Sequence, residues 1–277
     1  MLYDKNINQL FKSMKLSKYF VIAVSLSISV AAVSCQSNKT SATYQVADST
    51  MQEIADLPNT LTSAEEKAGW ILLFDGKTST GWRGAYKDAF PAQGWKIDSG
   101  ELVVIKSDGA ESRNGGDIIT QDQYSNFELT LEAKLTPGAN SGVKYFVTEK
   151  LPKSPGSAIG LEFQLLDDEL HPDAKMGKNG NRTIGSLYDL ITAQGKKARS
   201  IGEWNQVRIV SKNKHVEHWL NGSKVLEYDR GSPAFRALVA QSKYKIYENF
   251  GEAPEGHILL QDHGNEVHYR SIKLLKL

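Results

Sequence analysis

The stretch FELTLEAKL, residues 127–135, alternates apolar and polar side chains along its length. A period of two suits a strand with one face on a core and the other turned away from it. The same period runs from Trp70 towards the C-terminus, broken by turns every 8 to 15 residues. It predicts strands at WKI (95–97), ELVVI (101–105), 127–135, 142–148, 159–166, 204–211, HVEHWL (215–220), SKVLEY (223–228), 257–262 and 266–276. Asn221-Gly222 is the strongest hairpin signal, because Asn and Gly both tolerate positive φ. Helical spacing is confined to SPAFRALVAQ, which predicts one short helix near 233–241. Ser232 would cap it, Pro233 would sit in its first turn, and Phe235, Leu238 and Val239 would share a face. Many short strands without βαβ alternation mean an all-β sandwich or barrel of antiparallel sheets. No repeat or internal linker interrupts 65–277, so a single domain is expected there.

The N-terminus follows other rules. Lys15 and Lys18 precede an apolar run, Tyr19 to Val33, relieved only by serines and too short to span a bilayer. It ends Ala32-Val33-Ser34-Cys35, which resembles a bacterial lipoprotein signal, with Met14 as a natural start. That resemblance implies removal of residues 1–34, acylation of Cys35 and a membrane partner through that anchor. Residues 36–60, rich in Ser, Thr, Gln and Asn with no apolar period, read as part of a flexible tether over 35–64. The alternative is an ordinary secretory peptide with a chance cysteine. Gln36, Ser37, Asn38 and Lys39 include no acidic cluster of the kind that directs some lipoproteins to the cell surface. The expectation is the periplasmic side of the outer membrane. Cys35 is the only cysteine, which excludes an intramolecular disulfide. Of 33 basic and 32 acidic residues, the signal removes Lys5, Lys12, Lys15, Lys18 and Asp4, leaving 29 against 31 and a net charge of −2. No basic field remains to attract nucleic acid.

Chemistry gathers in a few places. In GLEFQLLDDELHPD (160–173), Leu161, Phe163 and Leu165 form one strand face while Glu162 and Gln164 take the other. Asp167, Asp168, Glu169 and His171 crowd the end of that strand. In LLQDHG (259–264), Gln261 and His263 alternate with Leu260 and Asp262, and His263 suits proton transfer near neutral pH. Lys144 lies between Val143 and Tyr145, so it faces away from the apolar side. His268 and Arg270 oppose Val267 and Tyr269. Arg270 is a candidate to steady an oxyanion or to pair with Glu162. Trp82, Trp95 and Trp219 are candidate stacking platforms for a ligand ring, and Trp70 and Trp204 read as core. Polar loops at 148–158 and 171–185 are long enough to frame a ligand site.

Several segments, in order, resemble one known family. They are GWILLFDGKTSTGW from Gly69, FELTLEAKLTPGANSGVKYFV, GLEFQLLDDELHPDAKMG, GSLYDLI, GEWNQVRIVSKNKHVEHWLNGSKVLEYD and GHILLQDHGNEVHYRSIKLLKL. Together they are similar to the 3-keto-disaccharide hydrolase domain family over about residues 68–277. The resemblance implies a concanavalin A-like jelly-roll sandwich whose curved sheet offers a concave face to sugars. It also implies a carbohydrate substrate, a glycoside whose C3 hydroxyl has been oxidised to a ketone. Such a ketone acidifies the C2 proton, so a base can form an enolate and the C1 substituent can leave, with water adding afterwards. That route needs a base near C2, a donor at the C3 oxygen and an acid at the leaving oxygen. Glu162 and His263 are the expected proton-transfer groups, with Lys144 polarising the carbonyl. Gln164, Asp167 and Gln261 are expected to bind substrate, with His171, Tyr188 and Asp189 at the rim. No HExxH or cysteine-rich spacing selects a metal, although Glu162, Asp167 and His263 leave a divalent ion open. Two alternatives stand beside this. Glu162-x-Gln164-x-x-Asp167 is a loose echo of the three-carboxylate strand of retaining jelly-roll glycanases, which need carboxyl groups roughly 5 Å apart. A non-catalytic carbohydrate-binding domain would also fit a sandwich of this kind.

Overall fold

The computed structural model describes residues 57–107, 110–151 and 157–277. Cys35, the signal sequence and most of the tether lie outside the described residues. Two antiparallel sheets face each other. The larger has eight strands in the order β11 (Ser223–Asp229), β10 (His215–Leu220), β9 (Trp204–Lys212), β6 (Phe127–Leu135), β13 (Val267–Lys276), β4 (Glu101–Val104) and β3 (Trp95–Asp98). Its remaining strand, β1 (Ile71–Leu72), pairs with the far end of β13. The smaller sheet runs β2 (Trp82–Gly84), β5 (Ile118–Thr120), β12 (His257–Leu260), β7 (Asn140–Thr148) and β8 (Ile159–Leu166). This is the expected all-β sandwich.

The core forms where the inward faces meet. From β6 come Leu129 and Leu131, from β9 Val207 and Ile209, and from β8 Leu161, Phe163 and Leu165. The outer face of β6, with Glu128, Thr130, Glu132 and Lys134, is half-buried, as its alternation requires. β8 behaves differently. All eight of its residues are buried, Gly160, Glu162 and Gln164 included. Something therefore covers the outer face of the smaller sheet beside its edge strand.

The cover comes from two loops. Gly185 N–H donates to Gln164 O, Gln164 N–H to Ser186 O and Tyr188 N–H to Glu162 O, so residues 185–188 pair along the free edge of β8. This closes an edge that would otherwise expose unpaired backbone groups. Asp189, the next residue, in turn anchors residues 243–246 by accepting the Lys243 amide at 2.9 Å.

Other expectations hold or shift in detail. Asn221 and Gly222 both have positive φ in the β10–β11 turn. The helix α2 spans Pro233–Ala240, with Ser232 accepting from the Phe235 amide. An unexpected helix, α1, spans Ser63–Ala68, closed by a reciprocal capping box between Thr62 and Glu65. Packing also starts upstream of residue 65. Asn59 donates to Gly100 O and accepts from the Ser271 amide, so the folded part takes in residues assigned above to the tether.

Candidate functional site

Strand pairing sets the floor of the site. On β7 and β8, Lys144 stands opposite Glu162 and Gly142 opposite Gln164. Gly142 leaves the room that Glu162 occupies, since a Cβ there would lie 2.1 Å from the Glu162 Oε1. β12 leads into Gln261, whose amide donates to Gly142 O, and Gln261 joins the same outer face. These residues border a cavity of about 290 Å³. That lies at the small end of the roughly 300–1,000 Å³ usual for small-molecule sites. Glu111, Lys144, Glu162, Gln164, Tyr188, Lys243, Tyr247, Gln261 and His263 are among its lining residues.

A chain of buried charge supports the floor. Asp262, fully buried, accepts from the amides of Gly115, Gly116 and Gly264 and so ties the 110–117 loop to the end of β12. The Asp262 amide donates to Asp117, also fully buried, and Asp117 faces the Lys144 ammonium at 3.4 Å. Lys144 also donates to Ala158 O and lies 3.8 Å from Glu111. Burial opposes its charge, but Asp117, Glu162 and Glu111 outweigh that and hold the ammonium above the usual lysine range. Its charge is therefore already balanced by protein carboxylates.

The cavity also holds polar atoms without protein partners. Among the described residues, five buried side-chain N or O atoms lack a hydrogen-bond partner, and three of them belong to residues of this wall: Gln164 Oε1, Gln261 Oε1 and His263 Nδ1. Leaving such groups unpaired costs about 1–3 kcal/mol each, so their clustering points to a polar ligand. The amides of the two glutamines are otherwise fixed. Gln164 donates to Asn140 at 3.0 Å and Gln261 to Glu111 at 3.3 Å.

Of the residues expected from sequence, the cavity brings together Lys144, Glu162, Gln164, Tyr188, Gln261 and His263. His171 stands just behind, its ring edge-to-face with His263 at 5.7 Å, and its Nδ1 accepts from the Asp173 amide. Burial and the neighbouring His263 push its pKa down. Tyr188 donates to Asp173 at 2.7 Å, and burial together with that carboxylate raises its phenol. Asp189 is a brace, gripping Arg182 and the Lys243 amide.

The structure places three expected residues elsewhere. Asp167 lines a separate cavity with Asp168 and Leu170. Its carboxylate accepts from the amides of Gly138, Glu169 and Leu170; burial opposes its charge, but these bonds prevail and hold its pKa down. Arg270 is on the larger sheet, bonded to Glu132 and stacked 4.1 Å from the Trp204 ring, so it does not pair with Glu162. Trp219 is also on the larger sheet, donating to Glu217 beneath Arg208. The other tryptophan assignments reverse. Trp82 and Trp95 are core, their indole N–H groups bonded to Leu73 O and Gly116 O, while Trp70 and Trp204 are only half-buried.

The site also contains residues that were not anticipated: Glu111, Asn140, Lys243, Tyr244 and Tyr247. Asn140 opens the NSG segment and was legible as part of it. SKYKIY (242–247) carries a lysine and two of these tyrosines, but nothing local links it to Glu162. As for metals, one group of three His, Asp or Glu donors converges among the described residues. It is His215, Glu217 and Glu227 on the larger sheet, away from this cavity.

Two antiparallel sheets with a polar, ligand-sized cavity in the outer face of one define a concanavalin-type sandwich built to hold a small polar molecule. Residues 69–275 match the model of the 3-keto-alpha-glucoside-1,2-lyase-like domain. A 3-keto-disaccharide hydrolase of Bacteroides thetaiotaomicron is 35% identical over 270 residues, covering 87% of this chain and 93% of the relative. A Parabacteroides distasonis structure, described as a candidate glycosyl hydrolase, has a TM-score of 0.69 at 30% identity. It covers 80% of this chain and 100% of its own. A second structure from that organism, described likewise, has a TM-score of 0.52 at 27% identity, covering 71% of this chain and 99% of its own. The chain belongs to the 3-keto-alpha-glucoside-1,2-lyase-like domain family, and it is an enzyme of glycosidase type.

Proposed function

We propose that the protein cleaves 3-keto-glycosides by removing the C2 proton and eliminating the C1 substituent, with water adding afterwards. The observation that carries this reading is the outer face of the smaller sheet. There a buried carboxylate, Glu162, shares one cavity with three unpartnered polar atoms on Gln164, Gln261 and His263.

In this reading the Glu162 carboxylate takes the C2 proton. The C–H electron pair forms the C2–C3 double bond, and the carbonyl pair moves onto the C3 oxygen. When that enolate collapses, the C1–C2 double bond forms, the C1–O bond breaks and the leaving oxygen takes a proton from His263. Water then adds across C1–C2, and the net change is hydrolysis. Lys144 keeps negative charge favourable at Glu162, and the free oxygens of Gln164 and Gln261 accept from ring hydroxyls. The family description names a 1,2-lyase and the Bacteroides relative is named a hydrolase. Both outcomes begin with the same proton, so one site serves either.

The retaining-glycosidase alternative requires Glu162 and Asp167 to act as a pair. It is disfavoured, because Asp167 is committed to three backbone amides and borders another cavity.

The test is an assay of 3-keto-glucosides beside the same glucosides carrying an ordinary C3 hydroxyl, with no oxidoreductase present. Turnover of the keto form should exceed that of the hydroxyl form by at least ~100-fold, the scale on which acid–base catalysis acts. Equal rates on the two would refute the reading.

A further inference from the structure

Elimination through an enolate leaves negative charge on the C3 oxygen, so some positive group should meet it. Lys144 looks right by sequence but is surrounded by Asp117, Glu111 and the Ala158 carbonyl. The cavity has a second ammonium, at Lys243. We infer that Lys243 is the catalytic residue that receives the C3 oxygen of the substrate and holds its charge in the enolate, an inference that rests on the keto-glycoside reading above.

The geometry separates the two lysines. Lys243 Nζ makes no hydrogen bond or ion pair with any described residue. It lies 4.2 Å from the centre of the Tyr188 ring and 5.3 Å from that of Tyr244, so two aromatic faces hold it. Such contacts stabilise a cation without using up its N–H donors. Its backbone is fixed as well. The Lys243 amide donates to Asp189 at 2.9 Å, and Ser242 caps the short 3₁₀ turn that Lys243 opens. Asp189 is clamped by Arg182, which also grips Asp173, the acceptor of the Tyr188 hydroxyl. The platform and the ammonium above it therefore belong to one braced unit.

Charge balance agrees. Lys243 is exposed as a residue, but its ammonium stands among the cavity walls: desolvation there, with Lys144 and Arg182, lowers its pKa, while Glu162 and Glu111 act in the opposite sense. An ammonium with its donors free and its proton loosened suits a developing oxyanion. The step needs no covalent bond to the protein: the carbonyl electron pair moves to the C3 oxygen as Glu162 takes the C2 proton, and the same pair returns as the C1 substituent leaves.

The experiment compares wild type, Lys243→Met and Lys243→Arg on a 3-keto-glucoside. Kinetics are followed across pH, and binding of the matching C3-hydroxyl glucoside serves as a folding control. Lys243→Met should lower kcat by ~100-fold or more, the usual cost of removing one oxyanion donor. KM and binding of the hydroxyl analogue should stay within ~3-fold, because the interaction strengthens only as charge develops. The wild-type kcat should fall on the alkaline side with an apparent pKa below the ordinary lysine value of 10.5, and Lys243→Arg should move that limb to higher pH. An active wild type with a Lys243→Met kcat within ~3-fold, or an alkaline limb unmoved in Lys243→Arg, overturns the inference alone. A wild type inert towards every 3-keto-glycoside overturns the keto-glycoside reading together with it.

Discussion

Glu162→Gln should lower turnover of a 3-keto-glycoside by at least ~100-fold while leaving the fold intact. Gln keeps the size and the hydrogen-bonding edge of the side chain but removes its basicity, so a loss reports proton transfer rather than packing. Glu162 is 5% exposed and faces Lys144 across the β7–β8 pair. Its position also depends on Gly142, where a Cβ would overlap the carboxylate. Gly142→Ala should therefore mimic the loss without replacing any ionisable group. The new Cβ would also come within 2.9 Å of Glu162 Cδ and Cγ, so this buried side chain must move as a whole; Gly142→Ala should cost some stability, and a 1 Å shift can cost ~100-fold in rate. Circular dichroism and thermal melting separate this from unfolding. Wild-type rates in Glu162→Gln would remove Glu162 from the mechanism.

The second large effect concerns stability. His218 lies fully buried in the core, donating from Nδ1 to Gly185 O at 3.0 Å and accepting at Nε2 from the Tyr145 hydroxyl at 2.7 Å. Tyr145 is bonded in turn to Tyr228. Burial disfavours a second ring proton and lowers the pKa from 6.5 to about 4. Between those values the unfolded chain binds a proton that the folded chain refuses, so stability falls as pH falls through this window. Below about 4 both states are protonated and the loss is complete. Each pKa unit is worth about 1.4 kcal/mol, so the total is about 3 kcal/mol. Gln at 218 can donate and accept but does not titrate in this range. Urea unfolding of wild type and His218→Gln at pH 7.5 and pH 4 should show the wild type losing about 3 kcal/mol more than the variant. Equal losses would mean that His218 is not the group responsible.

Much of the fold was legible in the sequence because the sandwich rests on one simple rule. β6 and β8 begin and end where their alternation does, and Asn221-Gly222 turns as its backbone freedom suggests. The short strands β1, β2 and β5 were not legible, since two or three residues carry no period. The Thr62–Glu65 capping box could have been read, but α1 has no buried residue to give it an apolar face.

The site was legible where it lies on strands. Glu162, Gln164 and Lys144 converge because alternation fixes which way each one points, and Gln261 and His263 follow directly after the end of β12. Lys243 and Tyr247 were hidden because their placement depends on Asp189 capturing the Lys243 amide, a contact between residues 54 apart. Asp167 and Arg270 misled for a related reason. Residue type suggested chemistry, but local amides consumed one and Glu132 the other. Trp82 and Trp95 offered aromatic faces, yet carbonyl partners for their N–H groups favoured the core.

Loss of the C2 proton is the step on which the functional account stands, and isotope incorporation reads it directly. Cleavage of a 3-keto-glucoside in deuterium oxide should yield a keto-sugar carrying deuterium at C2, above the exchange seen when the same product is incubated without protein. A product that keeps its original C2 hydrogen while the glycosidic bond is cut would contradict the elimination route.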